Sequence, residues 1–236
     1  MIVTKDRREI ELMAEAGRIV ALVHEKLKEV IVPGITTKQI DQICEKVIRD
    51  NNATPSFLHL YGFPNSVCTS INEVVVHGIP SNQTLKEGDI ISVDVGACYK
   101  GYHGDSAWTY AVGKISDEAK HLMEVCEGSL YAGLKQVKPG NRLSDISHAI
   151  YVYLDEHGCT TPLDYTGHGI GSEVHEDPPV PNYGKAGRGP RLKAGMTLAI
   201  EPMAHLGGCE IEVLQDNWTV ITKDRSLAAH YEHTIV

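Results

Sequence analysis

Three carboxylates lie on segments whose patterns predict strands, in an arrangement that could bind divalent metal ions. Apolar residues alternate with small or polar ones through 89–97, so Asp94 is predicted on the face opposite the packed side chains. Asp105 follows eleven residues later, beyond a short turn, so the two acids can share one face of a hairpin. Alternation in 196–203 places Glu201 on the polar face of another strand. Few Lys or Arg residues are near, and hard divalent cations would offset the repulsion.

Three of the twelve histidines lie in settings that suit ligation or catalysis. His168 is flanked by glycines in TGHGIG, His175 follows seven residues later, and His77 ends the apolar segment VVV. Imidazole beside carboxylates suits Mn(II), Fe(II), Co(II) or Zn(II), which we expect as a pair. Two such ions would lower the pKa of a water molecule, which predicts hydrolysis of an amide or ester near neutral pH. The remaining histidines are predicted to be structural or on the surface: His24, His59, His103, His121, His148, His157, His205, His230 and His233.

A ten-residue segment occurs twice and predicts two similar halves. LKEGDIISVD at 85–94 and LKAGMTLAIE at 192–201 run in step at an offset of 107, and each ends in a carboxylate. Pro-Gly pairs recur at an offset of 106 and Thr-Pro pairs at an offset of 107. We therefore predict a single domain over the whole chain, whose halves, roughly 1–112 and 113–236, face each other across an acidic site.

The repeat also points to one further ligand. The residue 107 positions after Asp105 is Glu212, so the residues alone favour Glu212 as the last ligand. Spacing by itself leaves this choice open.

The composition excludes several classes of protein. Of the 236 residues, 42% are hydrophobic and 22% are charged, which is ordinary for a soluble globular protein. The net charge of −9 argues against nucleic acid as the main partner, and no apolar run reaches the roughly 18 residues of a membrane span. The N-terminal segment is charged at once and lacks the apolar core of a signal peptide. The six cysteines are scattered without a CxxC pair, so we expect reduced thiols and a cytoplasmic location.

The elements that must position these residues are helices in succession and strands in clusters, which indicates the α+β class. Helices are predicted over 5–30, 35–51, 117–136 and 142–157. Strands are predicted over 73–77, 89–97, 103–111, 196–203, 210–214, 218–222 and 228–236. Irregular structure is predicted over the Gly- and Pro-containing segments 57–72, 161–171 and 176–195.

Five motifs, in order along nearly the whole chain, resemble those of the type I methionine aminopeptidases. They are NEVVVHGIP (72–80), DVGACYKGYHGDSAWT (94–109), TGHGIGSEVHEDPPVPNYG (166–184), AGMTLAIEPM (194–203) and KDRSLAAHYEHTIV (223–236). The resemblance implies the pita-bread fold, a pseudo-twofold duplication with a central antiparallel sheet flanked by helices. It also implies removal of the initiator methionine from nascent proteins and peptides with a small second residue.

The same resemblance implies a set of metal ligands, and it replaces Glu212 with Glu232. The implied ligands of two divalent ions are Asp94, Asp105, His168, Glu201 and Glu232. Asp105 and Glu232 would bridge the ions, Asp94 would complete one site, and His168 with Glu201 would complete the other. Asn72 resembles a position near a monovalent cation.

Substrate-contacting roles follow from the resemblance as well. Glu201 would carry a proton from the attacking water to the leaving amine, as a carboxylate with a tuned pKa can. His175 would donate a hydrogen bond to the scissile carbonyl or its oxyanion, and His77 would contact the backbone nitrogen beyond that bond. The implied pocket for the methionine side chain is Phe63, Cys68 and Trp218.

Two departures from the family pattern suggest differences in the site. Leu60 stands where the family often has Tyr, so we expect an altered pocket rim. The sequence ends four residues after Glu232, so we expect an exposed sheet edge and weaker support of that side chain.

Two other functions remain open from the sequence. One is an Xaa-Pro peptidase of the same fold, although such enzymes usually carry an extra N-terminal domain. The other is a binding module that has lost catalysis, although all five implied ligands and both auxiliary histidines are present. We expect a monomer that acts on N-terminal Met peptides and nascent chains, with the ribosome as a candidate partner. Neither a nucleic-acid substrate nor a membrane is expected.

Overall fold

A computed structural model describes residues 2–236, and its four helices follow the four predicted helical segments. They are α1 Arg7–Val30, α2 Thr37–Asp50, α3 Asp117–Leu134 and α4 Leu143–Glu156. Helix α1 begins two residues later than predicted because the Asp6 side chain caps it, accepting a hydrogen bond from the Glu9 amide at 2.9 Å. Thr36 caps α2 and Ser116 caps α3 in the same way.

Thirteen strands are found within residues 2–236, and every pairing between them is antiparallel. They are β1 Thr54–Pro55, β2 Val67–Ile71, β3 Val74–Val76, β4 Ile90–Tyr99, β5 Tyr102–Ala111, β6 Gly167–Gly169, β7 Glu176–Val180, β8 Leu198–Ile200, β9 Met203–His205, β10 Ile211–Val213, β11 Val220–Thr222, β12 Ala228–His230 and β13 His233–Ile235. Four helices packed on antiparallel sheets confirm the predicted α+β class.

The longest strands, β4 and β5, form a hairpin paired over all ten residues of each. The other edge of β4 pairs with β2 and β1. A second sheet has the order β13-β8-β6-β7, and the smaller pairings are β10-β11-β3 and β12-β9. The hairpin therefore supplies a long, regular platform, and the later strands form short segments next to it.

The predicted strands 196–203 and 228–236 are each two short strands with a two-residue break. Strand β8 pairs with β13, and β9 pairs with β12, so the two breaks lie opposite each other. Glu201 lies in the first break and Glu232 in the second. Pro202 follows Glu201 and has no N–H to continue the ladder, which explains why pairing stops there.

Four strands were missed: β1 is only two residues long, and the sequences of β2, β6 and β7 lack the usual alternation. All five residues of β2 are buried, so both of its faces are packed and no polar face marks it. Strand β7 reads EDPPV, and its two prolines are tolerated because it lies at the sheet edge. In β6, a Cβ on Gly167 or Gly169 would collide with the carbonyl oxygens of Ala199 and Asp177 respectively. Close approach of backbones therefore requires these glycines.

Each helix pair packs on its own apolar core. The core beneath α1 and α2 includes residues of β2 and β4, and the core beneath α3 and α4 includes residues of β8 and β12. Trp108 of β5 packs against both. No helix described within residues 2–236 combines the length and hydrophobicity needed to cross a bilayer.

Matching hydrogen bonds accompany the repeated sequence segment. The Leu85 amide donates to the Ile35 carbonyl at 2.9 Å, and the Leu192 amide donates to the Asn141 carbonyl at 2.8 Å. In both copies, the segment thus pairs with the turn after a Pro-Gly. The proposed boundary of the halves near residue 112 stays a prediction.

A buried ion pair fastens the N-terminal segment to the strand that follows His175. The Lys5 amide donates to the Gly195 carbonyl at 2.7 Å, and the Lys5 ammonium pairs with the Glu176 carboxylate. Their side chains are only 4% and 15% exposed, so each charge depends on the other. Lys5, which precedes α1, is therefore part of the packed structure.

We expect Lys5→Met to lower the free energy of unfolding by about 3 kcal/mol, because it leaves the Glu176 charge without its partner. Urea unfolding of the variant measures this loss. Adding Glu176→Gln should recover part of it, since no unpaired charge then remains. Lys26→Met, which breaks an exposed pair with Glu29, is the control and should change stability by less than about 1 kcal/mol. Equal effects of the two Lys variants would contradict the expectation.

Candidate active site

One cavity of about 290 Å³ brings together the ten residues that the family resemblance implies as ligands, catalytic groups or pocket walls. They are Phe63, Cys68, His77, Asp94, Asp105, His168, His175, Glu201, Trp218 and Glu232. The cavity lies where the β4–β5 hairpin meets the two strand breaks. No Lys or Arg within residues 2–236 lines it. A cavity with polar groups at one end and apolar walls at the other is typical of a small-ligand site.

The hairpin register places the first two acids side by side. Asp94 pairs with Ala107, and Asp105 pairs with Gly96, so the carboxylates are diagonal neighbours on one face. The structure therefore confirms the prediction that Asp94 and Asp105 lie on one face of a hairpin.

Glu232 is held firmly against β5. Its amide donates to the Ala107 carbonyl at 2.9 Å, and its carbonyl accepts from the Ser106 hydroxyl at 2.7 Å. The Thr234 hydroxyl makes further hydrogen bonds to the Asp105 backbone. The Glu232 residue is 1% exposed, so the expected weakness of its support is wrong.

The four acids share a buried site that raises all their pKa values. Burial raises the pKa of Asp94 to about 6 and that of Glu201 to about 7. Burial, with repulsion from the neighbouring carboxylates, raises the pKa of Asp105 and Glu232 well above the ordinary range. Four carboxylates so close cannot all be ionised without a positive charge among them.

Several oxygen atoms of the site that could bind a metal ion have no hydrogen-bond partner among residues 2–236. Buried oxygens of Asp94, Asp105 and Glu232 accept no hydrogen bond there, which is costly for buried polar atoms. Asp105, His168 and Glu232 each offer a ligand atom within 4.8 Å of the others, and Glu201, His230 and Glu232 form a second such group.

These two groups share Glu232. Each group offers two carboxylates and one imidazole, which are ligands that fit a pair of divalent ions. Asp94 belongs to neither group, although it lines the same cavity.

His168 is oriented as a neutral ligand would be. Its Nδ1 lies 2.8 Å from the Gly169 carbonyl, which can only accept, so the proton is on Nδ1. Nε2 then presents its lone pair toward the acids, 3.4 Å from Glu201 Oε1. Burial lowers the pKa of His168, which keeps the ring neutral.

His175 and His77 line the same cavity as the acids. The His175 ring centroid is 4.5 Å from that of His168, and the exposed Tyr61 ring stacks on its other side at 5.9 Å. His77 has a left-handed backbone (φ +60°) and meets the Trp218 ring edge-on at 6.4 Å. Burial lowers the pKa of His77 to about 4. Burial also lowers the pKa of His175, so a neutral imidazole is available at both positions as a hydrogen-bonding group.

The apolar end of the cavity is a small aromatic and sulfur cluster. Phe63, Cys68 and Val174 are buried together, and Trp218 meets Phe63 edge-to-face at 5.1 Å. Burial raises the pKa of the Cys68 thiol well above its usual range, so it is a neutral wall and not a nucleophile. Leu60 lies in the same rim and adds apolar surface there.

Other residues considered from the sequence lie elsewhere. Glu212 is exposed on β10 and pairs with Arg225 at 3.4 Å, so the repeat offset was wrong for the last ligand. His103 Nδ1 lies 2.8 Å from the Ser56 hydroxyl, outside the cavity. The Asn72 side chain bonds to Asp89 and to the Ile90 amide, which fixes the start of β4.

Sequence reasoning missed His230, which was interpreted as structural or surface. It lines the cavity, it is 1% exposed, and its Nε2 lies 3.2 Å from Glu201 Oε2. A signal was present, since residues two apart on a strand share a face and Glu232 follows two positions later.

Comparison with known proteins places these residues in a family. The profile of metallopeptidase family M24 matches residues 11–236. Methionine aminopeptidase 1 of Bacillus subtilis (strain 168) is 56% identical over 235 residues, covering 100% of this chain and 95% of that protein. The crystal structure of methionine aminopeptidase from Thermotoga maritima is 44% identical with a TM-score of 0.98, covering 100% of this chain and 95% of that one.

A prolidase from Pyrococcus furiosus shares the fold alone, at 22% identity and a TM-score of 0.81 over 99% of this chain and 62% of that one. The pita-bread fold implied by the motifs is thereby confirmed. The chain belongs to metallopeptidase family M24 and, within it, to the methionine aminopeptidases.

Proposed function

We propose that this protein is a metal-dependent aminopeptidase that removes the initiator methionine from nascent proteins and peptides whose second residue is small. The observation that carries the proposal is the cavity itself, in which a buried acidic cluster adjoins an apolar pocket. The acidic end suits a positively charged α-amine, and the apolar end suits an unbranched thioether.

Asp94, Asp105, His168, Glu201 and Glu232 would hold two divalent ions, drawn from Co, Mn, Fe or Zn. When bound, such ions lower the pKa of a water molecule and polarise the scissile carbonyl. The buried oxygens of Asp94, Asp105 and Glu232 that accept no hydrogen bond within residues 2–236 support this assignment.

Glu201 would accept a proton from the attacking water and pass it to the leaving amine. Its carboxylate lies among the candidate ligand atoms of the cavity, which supports that role, because a positioned carboxylate can both accept and donate a proton. His175 would donate a hydrogen bond to the oxyanion, and His77 would contact the backbone nitrogen beyond the scissile bond.

Phe63, Cys68 and Trp218 would enclose the methionine side chain. Their edge-to-face packing and burial favour a rigid slot, which rejects branched or charged side chains by shape and desolvation. Leu60 would widen the apolar rim relative to a tyrosine.

Hydrolysis of Xaa-Pro peptides is the alternative that the shared fold keeps open. Metal-loaded protein is offered Met-Ala-Ser, Ala-Pro-Ser and N-acetyl-Met-Ala-Ser in separate reactions. Release of methionine from the first peptide alone supports the proposal, because the free amine is then required and an Xaa-Pro bond is not cleaved. Cleavage of Ala-Pro-Ser alone would replace it, and cleavage of the acetylated peptide would exclude an aminopeptidase.

Several finer expectations accompany this function. They are a monovalent cation near Asn72, a cytoplasmic location, a monomeric state and an encounter with nascent chains at the ribosome. All six cysteines are free thiols in the structure, which supports a reducing compartment.

A further inference from the structure

His230 is a buried histidine whose ring nitrogen points into the acidic site. Its Nε2 has no hydrogen-bond partner among residues 2–236. The backbone is fixed on both sides by Thr109, whose hydroxyl accepts from the His230 amide at 3.0 Å and donates to the His230 carbonyl at 2.9 Å. The backbone position of His230 is therefore set by the contact between β5 and β12.

Distances around His230 Nε2 match those between ligands of one ion. Nε2 lies 3.2 Å from Glu201 Oε2, yet the two atoms are not aligned as a hydrogen bond. Donors bound at about 2.1 Å from a common ion lie about 3 Å apart. One oxygen of Glu232 completes a group in which all three atoms are within 4.8 Å of one another.

We propose that His230 is an additional ligand of the metal centre, presenting the Nε2 lone pair to an ion shared with Glu201 and Glu232. This inference rests on the metal dependence proposed above. It adds a second imidazole to a site that the motifs describe with His168 alone. A second nitrogen donor makes the set softer and favours Co(II), Fe(II) or Zn(II) over Mg(II).

The test is metal binding by His230→Gln, which keeps an amide that can donate to Glu201 but is a poor ligand. Stripped protein is titrated with Co(II) by calorimetry, and the visible spectrum of the bound ion is recorded. We expect one Kd to rise by more than about 100-fold, beyond the about 10–100-fold loss caused by removing a residue that only orients a ligand, and the Co(II) spectrum to change. His121→Gln, an exposed histidine on α3, is the matched control and should bind as the unaltered chain does.

A second measurement keeps the proposal falsifiable if His230→Gln does not fold. In the proton NMR spectrum of the Co(II)-loaded unaltered chain, each histidine ligand should give a strongly shifted, solvent-exchangeable imidazole N–H signal, and we expect two such signals, from His168 and His230. Unchanged Kd values and spectrum in His230→Gln would overturn the proposal, as would a single such signal in the unaltered chain.

Methionine release is measured on the same unaltered sample. If that sample binds Co(II) but releases no methionine, the proposed function fails while the titration still decides the role of His230.

Discussion

Glu201→Gln is expected to lower kcat/KM for a Met peptide by about 10²–10⁴-fold while the fold stays intact. The amide has nearly the same shape as the carboxylate but cannot accept the proton of the attacking water. Glu201 lies in the break between β8 and β9, where its side chain does not contribute to a core cluster, so unfolding is not expected. Circular dichroism and thermal unfolding check the fold, and methionine release checks the activity.

The matched control is Glu212→Gln, which removes the exposed carboxylate that the repeat offset had favoured. It should leave kcat/KM unchanged. Bound metal is counted in both variants, so that a loss of ions can be separated from a loss of proton transfer. A Glu201→Gln protein that keeps its ions and more than a few per cent of activity would remove Glu201 from its proposed role.

Removing the metal ions is expected to abolish activity and to make stability depend strongly on pH. In the stripped protein the folded-state pKa values of Asp94 and Glu201 are raised to about 6 and about 7. A raised carboxyl pKa means that the folded protein binds the proton more tightly than the unfolded chain. This contribution to stability is fully present below the unfolded pKa values near 4 and is lost as pH rises through about 6 and about 7.

The melting temperature of chelator-treated protein should therefore fall between about pH 5 and about pH 8. Refilling with Co(II) or Mn(II) should raise it most at the upper end, because cations favour the ionised carboxylates there. An ion at 100 times its Kd adds about 2.7 kcal/mol. Asp105→Asn should weaken this response, since it removes a carboxylate shared by the site. A stripped protein with full activity, or with the same pH profile as the refilled one, would contradict the metal assignment.

The hairpin acids were predictable because strand alternation and a short turn are local properties. To place Asp94 and Asp105 on one face, it is enough to know the two-residue alternation of each strand and the register of the hairpin. Both can be read from the sequence. The positions of Glu201 and Glu232 depend on two breaks that face each other across β8–β13 and β9–β12, which is a long-range pairing. Residue patterns alone therefore led to Glu212, and only the family motif led to Glu232.

Strands without alternation could not be predicted from patterns. Strand β2 is packed on both faces, and β7 is rich in proline and acid because it lies at a sheet edge. His230 was missed for a related reason, since its burial beside Glu201 depends on the partner strand and not on its own neighbours.

Release of free methionine from Met-Ala-Ser and Met-Leu-Ser tests the central claim most directly. The protein is stripped with chelator and refilled in turn with Co(II), Mn(II), Fe(II) or Zn(II). Metal-dependent cleavage of the Ala peptide, with little or none of the Leu peptide, is the predicted result. Absence of cleavage with every metal, in protein shown to be folded and metal-bound, would contradict the aminopeptidase and favour a binding module that has lost catalysis.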